Sequence, residues 1–398
     1  MGNIFDYIEW RGDLTEESCK FSGVDFAILS QIAFLDIDKI FTDDKISLTI
    51  KDAYEAYSKV ANLETNVGLV FSNDPKNLFK ALAKAPRFKD IVMSDYVLSY
   101  DEENVEQFAG ITFNMPNGSK IIAYSGTDDT LVGWKEDFML IYKDEISSHK
   151  SSINYLKRIA DKTDKIYITG HSKGAHLAMF ALFYSPDDLY KKIVSVRAFD
   201  GPGFYAPIVD EAVLLRSKKL IEYSPQTSLF GRLFNHYGKQ KIVSSTYKGA
   251  FQHDVFSWEV ERNRFVKRTR FEDVSDKAEE KIKDILSRLT LTEKQKLVET
   301  VFDVLSKTGA KTLTELSLIK AEVVKSFLNV PLEERKFVSK IFLGEFLKDK
   351  NIRTMFFNDM FDKKATSVIK NSRKHAVKEY SVIKQNNKTT IIQKNDNL

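Results

Sequence analysis

With 398 residues the chain has room for one large α/β domain and a smaller unit, and its 43% hydrophobic content supplies a sizeable core, which excludes disorder throughout. The 60 basic and 56 acidic residues leave a formal charge of +4, too nearly balanced to argue for a nucleic-acid partner. Charges interrupt every apolar stretch before the roughly 20 residues that a transmembrane segment needs, and Cys19, the only cysteine, excludes an internal disulfide and a thiolate metal cluster. The opening residues Met1-Gly2-Asn3-Ile4-Phe5-Asp6 contain no basic segment leading into an apolar run, and position 6 lacks the Ser or Thr of a myristoylation site. A cytoplasmic address is expected.

Residues 1–90 read mostly as helices, most clearly over 26–35, where apolar positions recur at helical spacing and predict packing across a sheet. Two β-rich runs, 108–114 and 119–125, flank Met115-Pro116-Asn117-Gly118, whose Asn-Gly pair signals a hairpin. A helix is expected from about Ser148. The β-rich Ile166-Tyr167-Ile168-Thr169 then enters Gly170-His171-Ser172-Lys173-Gly174 and leaves as an apolar-periodic helix over 173–184, which stops at Ser185-Pro186. Further strands are predicted over 193–199, over 219–223 before Ser224-Pro225, and over 242–247. Strands alternating with helices imply a mostly parallel sheet that binds ligands at the carboxyl ends of its strands.

Beyond about residue 272 the pattern is helical alone, with Lys/Glu-rich polar faces and apolar stripes. Thr292-Glu293-Lys294-Gln295 fits a capping box, and Pro331 suits a first turn. The aromatic-rich stretches 337–346 and Met355-Phe356-Phe357 are expected to be buried core; peripheral contact with a membrane surface, or a partner, is the alternative. From Asn371 the chain is polar and basic, and at least part of it is expected to be mobile. The expected division is an N-terminal helical part over 1–90, an α/β core over 91–271, a helical domain over 272–370 and a polar tail over 371–398.

Strand, G-x-S-x-G and helix together form a nucleophile elbow: a serine on so sharp a turn projects above the sheet, and the helix N-terminus offers N–H groups to an oxyanion. Ser172 is therefore the candidate nucleophile. It needs a histidine base and a carboxylate to orient that base. On such sheets the chain order is serine, acid, histidine, which removes His149 and His171; His176 lies one turn along the elbow helix and His375 in the polar tail. His253 and His236 remain, and His253, in a loop between strand-like runs, is the expected base. An ion pair of His253 with the adjacent Asp254 is the structural alternative. Asp200, directly after the strand 193–199 and opening Asp200-Gly201-Pro202-Gly203, is the expected acid, with Glu222 near the end of the next strand, three residues before Pro225, as its rival. Oxyanion donors are expected from the N–H groups of Lys173 and of Thr127, which follows a strand ending in a glycine turn.

Ser125-Gly126-Thr127, Trp134-Lys135-Glu136-Asp137-Phe138, Gly170-His171-Ser172-Lys173-Gly174 and Phe199-Asp200-Gly201-Pro202, in that order and spacing, resemble the class 3 (fungal-type) lipases, and more closely a bacterial lipase-like branch catalogued as a domain of unknown function. The resemblance covers about residues 20–265. It implies an α/β-hydrolase core, with Ser172 as nucleophile, Thr127 and Lys173 as oxyanion donors, and Trp134 and Asp137 as packing and hydrogen-bonding supports. The chain departs from that pattern where Ser125 stands for an arginine, where Lys173 stands for an apolar residue, and where the acid's usual place offers Glu222. The function expected is hydrolysis of a carboxylic ester, small or lipid, by a Ser-His-Asp/Glu triad without metal or organic cofactor. The competing expectation is a hydrolase-fold scaffold without turnover.

Overall fold

The computed structural model describes residues 2–43, 46–60, 74–346 and 348–352. Its N-terminal part contains helices α1 (Ile4–Arg11), α2 (Gly23–Ile32), α3 (Ile50–Val60) and α4 (Asp74–Leu82), with strand β1 (Ser47–Thr49) between α2 and α3. Strands β2 (Val92–Asp101), β3 (Glu106–Asn114) and β4 (Lys120–Tyr124) follow, then helices α5 (Leu131–Met139) and α6 (Ser147–Ala160). The rest of the α/β part runs β5 (Ile166–His171), α7 (Lys173–Tyr184), α8 (Asp187–Lys192), β6 (Ile193–Phe199), α9 (Glu211–Leu215), β7 (Leu220–Pro225) and β8 (Lys239–Val243). Helices α10 (Asp273–Ser287), α11 (Leu291–Ser306), α12 (Leu313–Leu318), α13 (Lys320–Leu328) and α14 (Leu332–Ser339) then lead into a π-helical turn over Lys340–Phe346.

The eight strands lie in chain order, β1 to β4 antiparallel and β4 to β8 parallel. In such an order, crossovers of the usual right-handed sense put their helices on one face of the sheet. That leaves the opposite face to be covered by other elements, and α1 to α4 cover it. Side chains alternate between the layers with the period of a strand: on β4, Ile121 and Ala123 face the N-terminal helices, while Ile122 and Tyr124 pack with α6 and α7. The Asn-Gly hairpin joins β3 to β4 as predicted, with Gly118 in the left-handed region at φ 79°.

The N-terminal layer is locked by a buried ion pair. Arg87 donates to both carboxylate oxygens of Asp25 at 2.6 and 3.0 Å and to the carbonyls of Leu14 and Cys19, with neither charged side chain exposed. Asp25 also accepts from Ser22 N–H and the Tyr7 hydroxyl, so one carboxylate closes the capping box of α2 and ties it to α1. Breaking so buried a pair by removing one partner costs about 3–5 kcal/mol.

Three expectations shift. The helix predicted over 26–35 begins earlier, where Ser22 and Asp25 cap it, and ends at Ile32. The strand predicted over 242–247 ends at Val243, because beyond it the backbone leaves β7 for another partner: Ser244 and Thr246 N–H donate to Val266 O and Ser257 O, while Ser245 N–H donates to the Gln226 side chain. The capping box placed at Thr292 is formed two residues earlier, by Thr290 and Glu293. Pro331 is the N-cap of α14.

The C-terminal helices pack directly on the α/β part. Leu229, Leu233 and Phe234 share a core with α10, α11 and α14, and Met139 and Leu140 share another with Val298 and Phe302 of α11. Within the stretch 337–346, Val338 and Ile341 are buried; Met355-Phe356-Phe357, His375 and the tail lie outside the described residues. Among the described residues no helix is long and apolar enough to cross a membrane.

Candidate active site

Ser172 stands between β5 and α7 with φ 57° and ψ −128°, a conformation that L-residues adopt only where the surroundings impose it. The glycines on either side explain how the turn closes. A Cβ on Gly170 would lie 2.2 Å from the Gly174 backbone, and one on Gly174 would lie 2.2 Å from the Tyr124 carbonyl oxygen. The elbow therefore packs backbone to backbone against the end of β4, and the Ser172 N–H donates to Phe199 O at 3.0 Å across the end of β6.

Asp200 immediately follows Phe199 and is also held at positive φ, 47°. Its Oδ2 accepts from Nδ1 of His253 at 2.7 Å, both side chains being buried. A proton on Nδ1 leaves Nε2 as the basic nitrogen of the neutral ring. The other carboxylate oxygen, Oδ1, accepts from the Ser228 hydroxyl at 2.5 Å and from Gly231 N–H at 3.2 Å. A Cβ at Gly231 would lie 2.3 Å from that oxygen, so the loop after β7 closes tightly over the Asp200 carboxylate. His253 is fixed from a second side: Nε2–H of His171 donates to its carbonyl at 2.8 Å, and the rings of His171 and Phe230 lie 4.5 and 4.4 Å from its own, centroid to centroid. Asp200 and His253 are thus paired at the carboxyl end of β6, and the backbone ties this pair to the elbow: Ser172 N–H donates to Phe199 O, one residue before Asp200, and His171, one residue before Ser172, holds the His253 carbonyl.

The rival residues form a different pair. Glu222 accepts from His236 Nδ1 and, at 2.6 Å, from Gly238 N–H, while His236 Nε2 contacts Leu233 O. Asp254, beside His253 in sequence, instead caps the next turn by accepting from Phe256 N–H at 3.0 Å. Burial raises its carboxyl to about 7.

Lys173, whose N–H follows Ser172, sends its side chain into the protein. Its ammonium, fully buried, donates to Gln107 O at 2.6 Å, to Gln107 Oε1 at 2.7 Å and to Glu136 Oε2 at 3.0 Å. Glu136 in turn accepts from Ser148 and from Gln107 N–H, which fastens α5 and α6 to β3 and α7. The lysine at an apolar position was the signal of a buried counter-charge, and Glu136 in the quoted Trp134–Phe138 stretch is that charge. Thr127, also buried, donates its hydroxyl to Asp137. Burial lifts the Asp137 carboxyl to about 6, with the Lys173 ammonium pulling the other way. Trp134 packs with Met139, Val298 and Phe302.

Beneath α7 lies a second pair of histidines. Ile146 N–H donates to Nδ1 of His149 at 3.2 Å, and Nδ1–H of His176 donates to Pro202 O at 2.9 Å. Those partners leave His149 to donate Nε2–H to Nε2 of His176, at 2.9 Å, and both rings are neutral. Burial lowers His149 to about 2, with His176 and Lys173 adding to the effect, and lowers His176 to about 4 against the opposing hydrogen bond to the Pro202 carbonyl. Ser228, Gly231 and Phe230 were not legible as site residues in the sequence, since each reaches the site through a loop or ring contact with no local pattern; His171, inside the elbow motif and set aside as a base, instead holds the His253 carbonyl. No cluster suited to a metal ion occurs among the described residues.

The family model described as Mbeg1-like matches residues 82–303, from the end of α4 into α11. No curated protein matches the chain. Among solved structures the chain is similar to that titled M37 lipase, at 14% identity over 54% of this chain and 71% of that one, with a TM-score of 0.33. It is also similar to a triacylglycerol lipase from Penicillium expansum, at 14% identity over 64% of this chain and 88% of that one, with a TM-score of 0.31.

Proposed function

The chain belongs to the Mbeg1-like family, and within it we propose a serine hydrolase that cleaves carboxylic esters. Ser172 Oγ attacks the ester carbonyl while His253 Nε2 takes its proton. The tetrahedral oxyanion is held by the N–H groups of Thr127 and Lys173, and His253 returns the proton to the departing alcohol. Water then attacks the acyl-serine by the same route and releases the acid. Asp200 keeps His253 in the Nδ1–H tautomer and stabilises the imidazolium that forms at each step. The observation that carries the proposal is the Asp200–His253 hydrogen bond of 2.7 Å beside an elbow serine strained at φ 57°.

The test is labelling of the full chain with a fluorophosphonate probe beside Ser172→Ala, followed by p-nitrophenyl ester turnover. Labelling that disappears in Ser172→Ala is expected. A folded wild type that takes no label would return the chain to the reading of a non-catalytic scaffold.

A further inference from the structure

Between the α/β part and the C-terminal helices lies a cavity of 350 Å³ whose lining residues are all apolar. One wall comes from Phe138 and Ile141 at the end of α5, the second from the loop that carries Phe230, Leu233 and Phe234, and the third from α10, α11 and the residues after α14, such as Leu286, Val301 and Phe346. The cavity is partly open to solvent, and its volume lies in the range of ligand pockets. We propose that the cavity receives the hydrocarbon chain of the acyl group transferred at Ser172, so that the C-terminal helices build the acyl pocket; the inference rests on the hydrolase reading above.

The position of the walls argues for this occupant. Phe230 belongs both to the cavity and to the surroundings of the base, its ring 4.4 Å from that of His253. On the opposite side, Phe138 directly follows Asp137, the acceptor of the Thr127 hydroxyl. The cavity is thus flanked by a residue in ring contact with the base and by one next in sequence to the partner of Thr127, which is where a chain leaving the reacting carbonyl would be received. Phe234 is held at φ 73°, a costly backbone for a bulky residue, with its ring edge-on to Tyr205 at 5.4 Å, and it too lines the cavity. A wholly apolar wall offers no partner to a head group or a peptide, whose polar groups would be buried without hydrogen bonds.

The experiment fills the cavity from two sides, with Val301→Trp on α11 and, separately, Ile141→Phe after α5, each checked for folding by circular dichroism. Two readouts are taken on the full chain: the ratio of kcat/KM for p-nitrophenyl octanoate to that for the acetate, and the binding of dansyl-undecanoic acid to each variant in a Ser172→Ala background. The ratio should fall by about tenfold, the worth of roughly two buried methylene groups, and dansyl-undecanoic acid binding should weaken in parallel. Folded variants that keep both the wild-type ratio and the wild-type affinity overturn the inference while leaving the hydrolase reading in place. If the wild type takes no fluorophosphonate label, the hydrolase reading fails and the dansyl-undecanoic acid titration alone decides: binding lost on filling supports an acyl-chain cavity, and equal binding overturns it.

Discussion

Asp200 directly follows β6, whereas Glu222 lies inside the neighbouring β7, three residues before its end and not near the end as expected, and each carboxylate accepts from the Nδ1 of a different histidine. If Asp200 orients the base, Asp200→Asn lowers kcat by about 10⁴-fold, because the amide selects the wrong tautomer, whereas Glu222→Gln leaves kcat near wild type. Steady-state hydrolysis of p-nitrophenyl butyrate by the two variants checks this, and a collapse of kcat in Glu222→Gln alone would reverse the assignment. Lys173 offers a second contrast. With its ammonium removed, Glu136 is left as a buried charge with only neutral donors, so Lys173→Met should cost about 3–5 kcal/mol in urea unfolding. Adding Glu136→Gln removes the stranded charge and should recover part of that loss. A single variant that costs almost nothing would mean that water reaches the pair.

The elbow and the β3–β4 hairpin both depend on glycine, for different reasons. Gly174 has no room for a side chain, since its Cβ would press on the backbone oxygen of Tyr124, which cannot move without displacing β4. Gly118 has open space around it and needs only its positive φ. Gly118→Ala should therefore cost about 1 kcal/mol, the price of a left-handed alanine, while Gly174→Ala should give far less soluble protein or a much larger loss of stability. Thermal unfolding of the two variants distinguishes these origins. Similar modest losses would show that α7 can slide away from β4. The C-terminal helices hold the loop after β7 as well: Ser275 of α10 donates to Ser228 O, and the Ser228 hydroxyl donates to Asp200. The Asp200 carboxylate is thus two hydrogen bonds from the helical part of the chain.

Buried ionisable groups set how the folded chain responds to acid. His149 and His176 are held neutral, while in the unfolded chain each takes up a proton below its ordinary value of 6.5. Their contribution is present above 6.5 and is lost as the pH falls towards their folded values, by about 2 kcal/mol for each ring at about pH 5. Asp137 and Asp254 act in the opposite sense: raised to about 6 and about 7, they weaken the fold at neutral pH and return stability on acidification. The informative quantity is therefore a difference between proteins. Between about pH 7.5 and about pH 5, His149→Gln/His176→Gln should lose about 4 kcal/mol less than wild type in urea unfolding; identical pH slopes would show that the rings do take up protons in the fold. Much of the architecture was legible in the residues. Strand, G-x-S-x-G and apolar helix follow one another over 166–184, and local periodicity and small flanking residues were enough to place the elbow, because its physics is that of neighbouring peptide units. The parallel strands and the helical C-terminal part were legible for the same reason. The choice between Asp200 and Glu222 as partner of His253 stayed open in the sequence, because the Asp200–His253 bond joins residues 53 apart, and the Lys173–Glu136 pair, 37 apart, was not foreseen at all. Which charge meets which, and whether apolar stripes close completely or leave a cavity, depend on how loops and layers dock, and only the tertiary structure decides that.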